Sequence, residues 1–208
     1  MLDALDANTP RPGVAMRNGL MVTTIDISGG RRVSAARTTR ADSQHLRYRL
    51  DVVAVSAVDV VQSAGGWLYD RVMAGWEVTV LLPHGCDSRP LRILGVRALD
   101  PGSAMDPTSQ SLAVSEEVFA ADARVRDRVL TALDQRSTEV ALWGDGWPLR
   151  VNHGMTRMQH VLSASARAFK RHALAAAGIP CTSVDPTETL LCDPTICSPV
   201  DSELIRLG

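Results

Sequence analysis

The hydrophobic pattern changes period twice between Asp51 and Pro83, and that change is the clearest structural signal in the chain. Val52-Val53-Ala54-Val55 is a short unbroken apolar run, as in a strand buried on both faces of a parallel sheet. Val61, Ala64, Leu68 and Val72 then recur at helical spacing and form one apolar stripe, with Tyr69, Asp70 and Arg71 beside it. Gly75 follows the last turn, where a residue without a Cβ can adopt the left-handed conformation that ends helices. Glu77 to Leu82 reads as a second strand, stopped by Pro83 and Gly85. Strand, helix and strand in this order predict a βαβ unit with parallel strands.

Further elements follow the same rules. Met21 to Ile27 reads as a strand that turns at Ser28-Gly29-Gly30 into a hairpin partner over Arg31 to Arg37. Pro90 to Leu99 reads as a half-buried edge strand, and the run through Pro107 to Gln110 as a polar loop. Ser115 with Glu116 and Glu117 marks a helix start, and Val118, Val125, Val129 and Leu133 supply its apolar stripe. Glu139 to Trp143 is expected to be a third buried strand, closed by Gly144-Asp145-Gly146. A last long helix is expected over Thr156 to Ala177, stopped by Gly178 and Pro180. The fold expected is α/β: a three-layer Rossmann-like domain with a mostly parallel central sheet and an N-terminal β-hairpin. Residues 1–20 read as a flexible arm, 21–180 as a single α/β domain, and 181–208 as an irregular tail packed on it.

With 208 residues, 45% of them apolar, and a formal charge of −1, the chain reads as an ordinary globular protein and not as a disordered or nucleic-acid-coating one. No apolar run is long enough to span a bilayer, and Met1 to Pro12 lacks the pattern of a signal peptide, so a cytoplasmic location is expected. Lys170 is the only lysine among many arginines. This reads as the coding bias of a GC-rich genome, such as an actinobacterium's, and it argues against lysine-nucleophile chemistry. Cys86, Cys181, Cys192 and Cys197 read as free thiols in a reducing compartment. Neither their spacing nor that of His153 and His160 makes a metal site, and no metal is expected.

In open α/β sheets, ligands bind beyond the carboxyl ends of the strands. That rule selects Ser56, Gly65, Gly66, Gly144 and Trp147 as ligand-binding candidates, and Asp59, His84, Asp87 and Asp145 as candidates for acid/base work in an enzyme. A helix starting near Gln62 to Gly66 would direct free N–H groups at an anion. Arg31, Arg32, Arg47 and Arg49 belong to the strongest charge asymmetry in the chain, six arginines against Asp42 between 31 and 49. They suit an anion site or a solvated edge. With Tyr48 the only aromatic residue there, base stacking has little support, which argues against nucleic acid as a partner. The function expected is the binding of a small anionic or nucleotide-like ligand, with its cofactor unassigned. The alternatives are a hydrolase-type enzyme or a homo-oligomeric partner-binding module.

The segment VVAVSAVDVVQSAGGWLYDRVMAGWEVTVLL, residues 52–82, resembles the opening of the LmbE/PIG-L zinc deacetylases: a strand, Ala-His-Pro-Asp-Asp, a glycine pair, a helix, a glycine and a second strand. Aligned on the glycines, Asp59 takes the place of that family's second, metal-binding aspartate. Ser56 stands where the family has its metal histidine, and Val58 where it has its general-base aspartate. The resemblance therefore supports the βαβ unit and implies loss of the zinc activity. Gly144-Asp145-Gly146 similarly resembles the Gly-Asp-Ser opening of SGNH hydrolases, with Gly146 at the nucleophile position. No Gly-x-Gly-x-x-Gly fingerprint or phosphate-cradling P-loop is found.

Overall fold

The computed structural model describes residues 48–100, 109–194 and 204–206. The arm, the strand at Met21–Ile27, its hairpin partner, Arg31, Arg32, Arg47 and Cys197 lie outside these residues. The elements in chain order are β1 (Arg49–Val53), α1 (Ala57–Met73), β2 (Glu77–Leu81), α2 (Arg89–Ile93), β3 (Arg97–Leu99), β4 (Ser111–Ser115) and α3 (Glu116–Ala121). They continue with α4 (Ala123–Gln135), β5 (Glu139–Trp143), α5 (Leu149–Asn152), β6 (Thr156–Val161), α6 (Ala164–Ala176), β7 (Thr187–Cys192) and β8 (Leu204–Arg206).

The strands form one sheet in the order β3-β2-β1-β4-β5-β7-β6-β8. β1 runs parallel to β2 and to β4, β2 parallel to β3, and β4 parallel to β5, whereas β7 pairs antiparallel with β5 and β6, and β8 antiparallel with β6. The fold is thus α/β, five parallel strands extended by three antiparallel ones.

Alternation along each strand divides the apolar side chains between two cores. Leu50, Val52, Ala113, Ala141 and Trp143 pack with α1, α2 and α6. Val53, Leu112, Val114, Val140 and Leu142 pack with Phe119 of α3, Val125 and Val129 of α4, and Val151 of α5. These are the three layers. The predicted βαβ unit is present with its strands in parallel register, Val52 opposite Val80. Gly75 has φ +93°, as a left-handed helix exit requires.

Four expectations are corrected. Residues 90–99 are not one strand: Pro90 sits in the first turn of α2, where its missing N–H costs nothing, Leu91 and Leu94 turn into the core, and only Arg97–Leu99 pairs with β2. Ser111–Ser115, beyond the expected polar loop, is a buried strand whose apolar Leu-Ala-Val run is too short, between two serines, to give a strand period. The helix after Ser115 is two helices, divided at Asp122, whose carboxylate accepts from the Arg124 and Val125 amides and restarts the chain as an N-cap.

The fourth correction is the largest. Thr156–Val161 is a strand with Met158 and His160 buried, and the helix begins only after Ser163, whose Oγ caps Ala166 N. The supposed irregular tail contains β7, which lies inside the sheet between β5 and β6. Met158, Val161, Leu162 and Phe169 fit helical spacing, yet the first three belong to a strand and its exit. Pairing with β7 and β8 outweighs that local period.

Near the middle of α1 the helix packs so closely that a Cβ on Gly66 would stand 2.5 Å from Leu162 Cδ2. Leu162 is itself buried, so little room exists for it to yield. Gly66→Val should therefore destabilise the fold by about 2 kcal/mol or more, read as a lowered urea midpoint at unchanged slope.

Candidate functional site

The chain leaves β1 toward β2 and β3 on one side and returns to β4 and β5 on the other, so the switch of direction falls between β1 and β4. At that point the small hydroxyl residues serve as helix caps. Ser56 Oγ accepts from Asp59 N, 3.1 Å, and starts α1; Ser115 Oγ accepts from Val118 N and starts α3. Asp59 Oδ1 accepts from Trp143 Nε1 at 2.9 Å and from Ser63 Oγ at 3.4 Å, while its buried Oδ2 has no hydrogen-bond partner. Burial raises the Asp59 pKa above the usual carboxylate range, offset in part by the Trp143 and Ser63 bonds and reinforced by Glu117. The Gly144–Gly146 turn presses on Glu116 so tightly that a Cβ on Gly144 would meet Glu116 Cβ at 2.6 Å.

Beside this point opens a cleft of about 600 Å³. Its walls are Gln62 and Ser63 of α1, Trp143 and Asp145 at the end of β5, Arg157 of β6, Thr187 and Thr189 of β7, and residues 179–181 and 183–185 between α6 and β7. Its floor is an ion pair that sequence reasoning missed. Lys170 Nζ lies 2.5 Å from Glu188 Oε1, both side chains being at most 9% exposed. Lys170 also donates to Gln62 O, 2.7 Å, while Glu188 accepts from Gly66 N at 2.8 Å and Trp67 N at 2.7 Å. Gln62 O and Gly66 N are the acceptor and donor that face each other across one helical turn. The pair thus grips α1 by both halves of one rung. Burial raises the Glu188 pKa, against the opposing influence of Lys170 and the two amides. Lys170 stood out in the sequence as the sole lysine, whereas Glu188 fell in the stretch expected to be an irregular tail, so nothing in the sequence pointed to their meeting.

The expected site residues separate in the structure. Gly144 and Asp145 border the cleft, and Ser56 and Asp59 lie at the switch point. His84 and Asp87 follow β2 instead, His84 paired with Asp100 at 3.3 Å and Asp87 with Arg89 at 2.8 Å, so the four proposed acid/base residues do not gather in one crevice. Gly65 and Gly66 sit inside α1 and not at its start; Gly65 faces Leu94, a close approach of two helices, and the Gly66 amide already serves Glu188. Trp147 is 5% exposed and packs on Phe119 with ring centroids 4.9 Å apart and planes tilted by 57°, in the core with α3 and α4. Arg49 lies at the other end of β1, 3.4 Å from Glu77 Oε2.

His160 is buried, its Nε2 2.9 Å from Asp70 Oδ2, and Ser163 Oγ donates to Asp70 Oδ1 at 2.6 Å. These three residue types suggest a hydrolytic triad. However, the acid stands between the other two and the serine proton is donated to Asp70, so the histidine has no serine proton to take.

The site does not fit the zinc implied by the resemblance of residues 52–82. Ser56 is committed as a cap, Val58 offers no donor atom, and Asp59 is bound to Trp143. Among the described residues no three histidine, cysteine or acidic side chains converge as metal ligands.

No family model matches the chain, and the curated proteins contain no match. Solved structures do resemble it. A deacetylase of the antimicrobial A40926 pseudoaglycone shares 15% identity over 70% of this chain and 97% of its own, with a TM-score of 0.46. A deacetylase of teicoplanin biosynthesis, in complex with teicoplanin, shares 12% identity over 77% of this chain and 99% of its own, also with a TM-score of 0.46.

Two outcomes follow from these buried acids. Lys170→Met should cost about 3 kcal/mol, because it strands a buried carboxylate. Without Lys170 the Glu188 pKa rises further, so its stabilising contribution is full below the ordinary glutamate range and is lost as pH rises through the raised value; denaturant titrations should show a larger deficit at about pH 8 than at about pH 5. For Asp59, also raised, the sign is the same. Asp59→Asn should raise the melting temperature relative to the parent protein more at about pH 8 than at about pH 4, and a difference that shrinks with rising pH would contradict it.

Proposed function

We propose that this chain binds a small organic molecule in the cleft between α1, the end of β5, β7 and residues 179–185, and that it does not carry out zinc-dependent hydrolysis. The observation that carries this reading is the cleft itself: a concave, partly apolar space of about 600 Å³ at the carboxyl side of the parallel strands, within the usual volume of a small-molecule site. Its chemistry supports binding over catalysis. Ser63 is the cleft hydroxyl with an acid partner, but at 3.4 Å that bond is at the outer limit, and the same Asp59 oxygen is drawn to Trp143 at 2.9 Å. Ser56 and Ser115 are engaged as helix caps, His84 is paired with Asp100, and His160 with Asp70.

An anionic or nucleotide-like ligand, the expectation from sequence, has less support from the cleft's own charges. Its two cations, Arg157 and Lys170, already face Asp145 and Glu188, and Asp185 adds a third carboxylate.

Thr189 is exposed and borders the cleft, so Thr189→Trp should fill the space without disturbing the core. A screen of small metabolites by thermal shift should give compounds that stabilise the parent protein by about 1 kcal/mol or more at saturating concentration, and Thr189→Trp should abolish those shifts. Compounds that stabilise both proteins equally would place binding outside the cleft.

A further inference from the structure

We infer that the cleft takes a ligand carrying a protonated amine on an apolar chain, with Asp185 as the acid that receives it; this rests on the binding reading above. The charged groups set the sign. Lys170 is held by Glu188 and by Gln62 O, so the floor presents a neutralised pair with two of the three ammonium donors occupied. Arg157 is 3.0 Å from Asp145, and an anion approaching that guanidinium would meet the carboxylate beside it on the same rim, which would repel it. Asp185 is exposed in the same lining and tips the cleft toward negative potential, which favours a cation both on approach and when bound. The wall behind it is formed by Leu174, Ile179, Pro180 and Val184, surface suited to methylene groups and not to a sugar or a phosphate. Charge at one end and hydrocarbon along the wall together describe an alkyl amine.

Three probes of equal length separate the possibilities: hexamethylenediamine, hexamethylene glycol and adipate. Calorimetric titration of the full chain should show the diamine binding more tightly than the glycol, and adipate most weakly. Asp185→Asn should weaken the diamine by about fivefold, the size expected of an exposed ion pair, and leave the glycol unchanged. Tightest binding by adipate, equal binding by all three, no binding of the diamine, or a diamine affinity untouched by Asp185→Asn would each overturn the inference. The cleft reading would stand or fall separately, on whether Thr189→Trp removes the binding of whatever ligands do stabilise the protein.

Discussion

The arrangement of this protein depends on the Lys170–Glu188 pair and its grip on α1. Two charges removed from water cost several kcal/mol each, and their attraction offsets that only when their remaining hydrogen-bonding capacity is also satisfied. Here the satisfaction comes from backbone. Glu188 takes the amides of Gly66 and Trp67, and Lys170 takes the carbonyl of Gln62. One interaction therefore ties three elements that are far apart in the chain: α1, α6 and β7. It also accounts for the glycine pair. A side chain at Gly66 would collide with Leu162 and push α1 away from the carboxylate.

The pair also shapes the surface above it. By holding β7 in the sheet beside β5, it sets residues 179–185 across the ends of the strands and leaves the cleft between them and α1. The polar groups that might have done chemistry nearby have been given structural work. Ser56, Ser115 and Ser163 start helices, Asp59 holds Trp143, and Asp70 joins His160 to Ser163. What is left facing the open space is a lining of charged groups, Asp145, Arg157 and Asp185, beside apolar ones, Leu174, Ile179 and Val184.

A site of this kind depends on which acids and bases meet. Asp145 and Arg157 neutralise one another on the rim, and the floor is neutralised beneath, so the sign of the cleft is decided by Asp185. The arginines that dominated the charge pattern contribute nothing to it where they are described: Arg49 belongs to the amino end of β1 and is engaged with Glu77.

The sequence by itself determined the βαβ unit from Val52 to Leu82, the cap at Ser115, and the strand ending at Trp143, because each is written in a local period or a neighbouring cap. It did not reveal β6 and β7. Met158, His160 and Val161 suit a helix as well as a strand, and Glu188 in an apolar run reads as an exposed residue until its partner is in place. Nor did it show that His84 and Asp87 would stand apart from Asp59 and Asp145, since strand order in the sheet, and not distance along the chain, decides which loops converge. Only the tertiary structure decided these, because strand pairing and the burial of a charge take their free energy from contacts between distant segments, which no local pattern records.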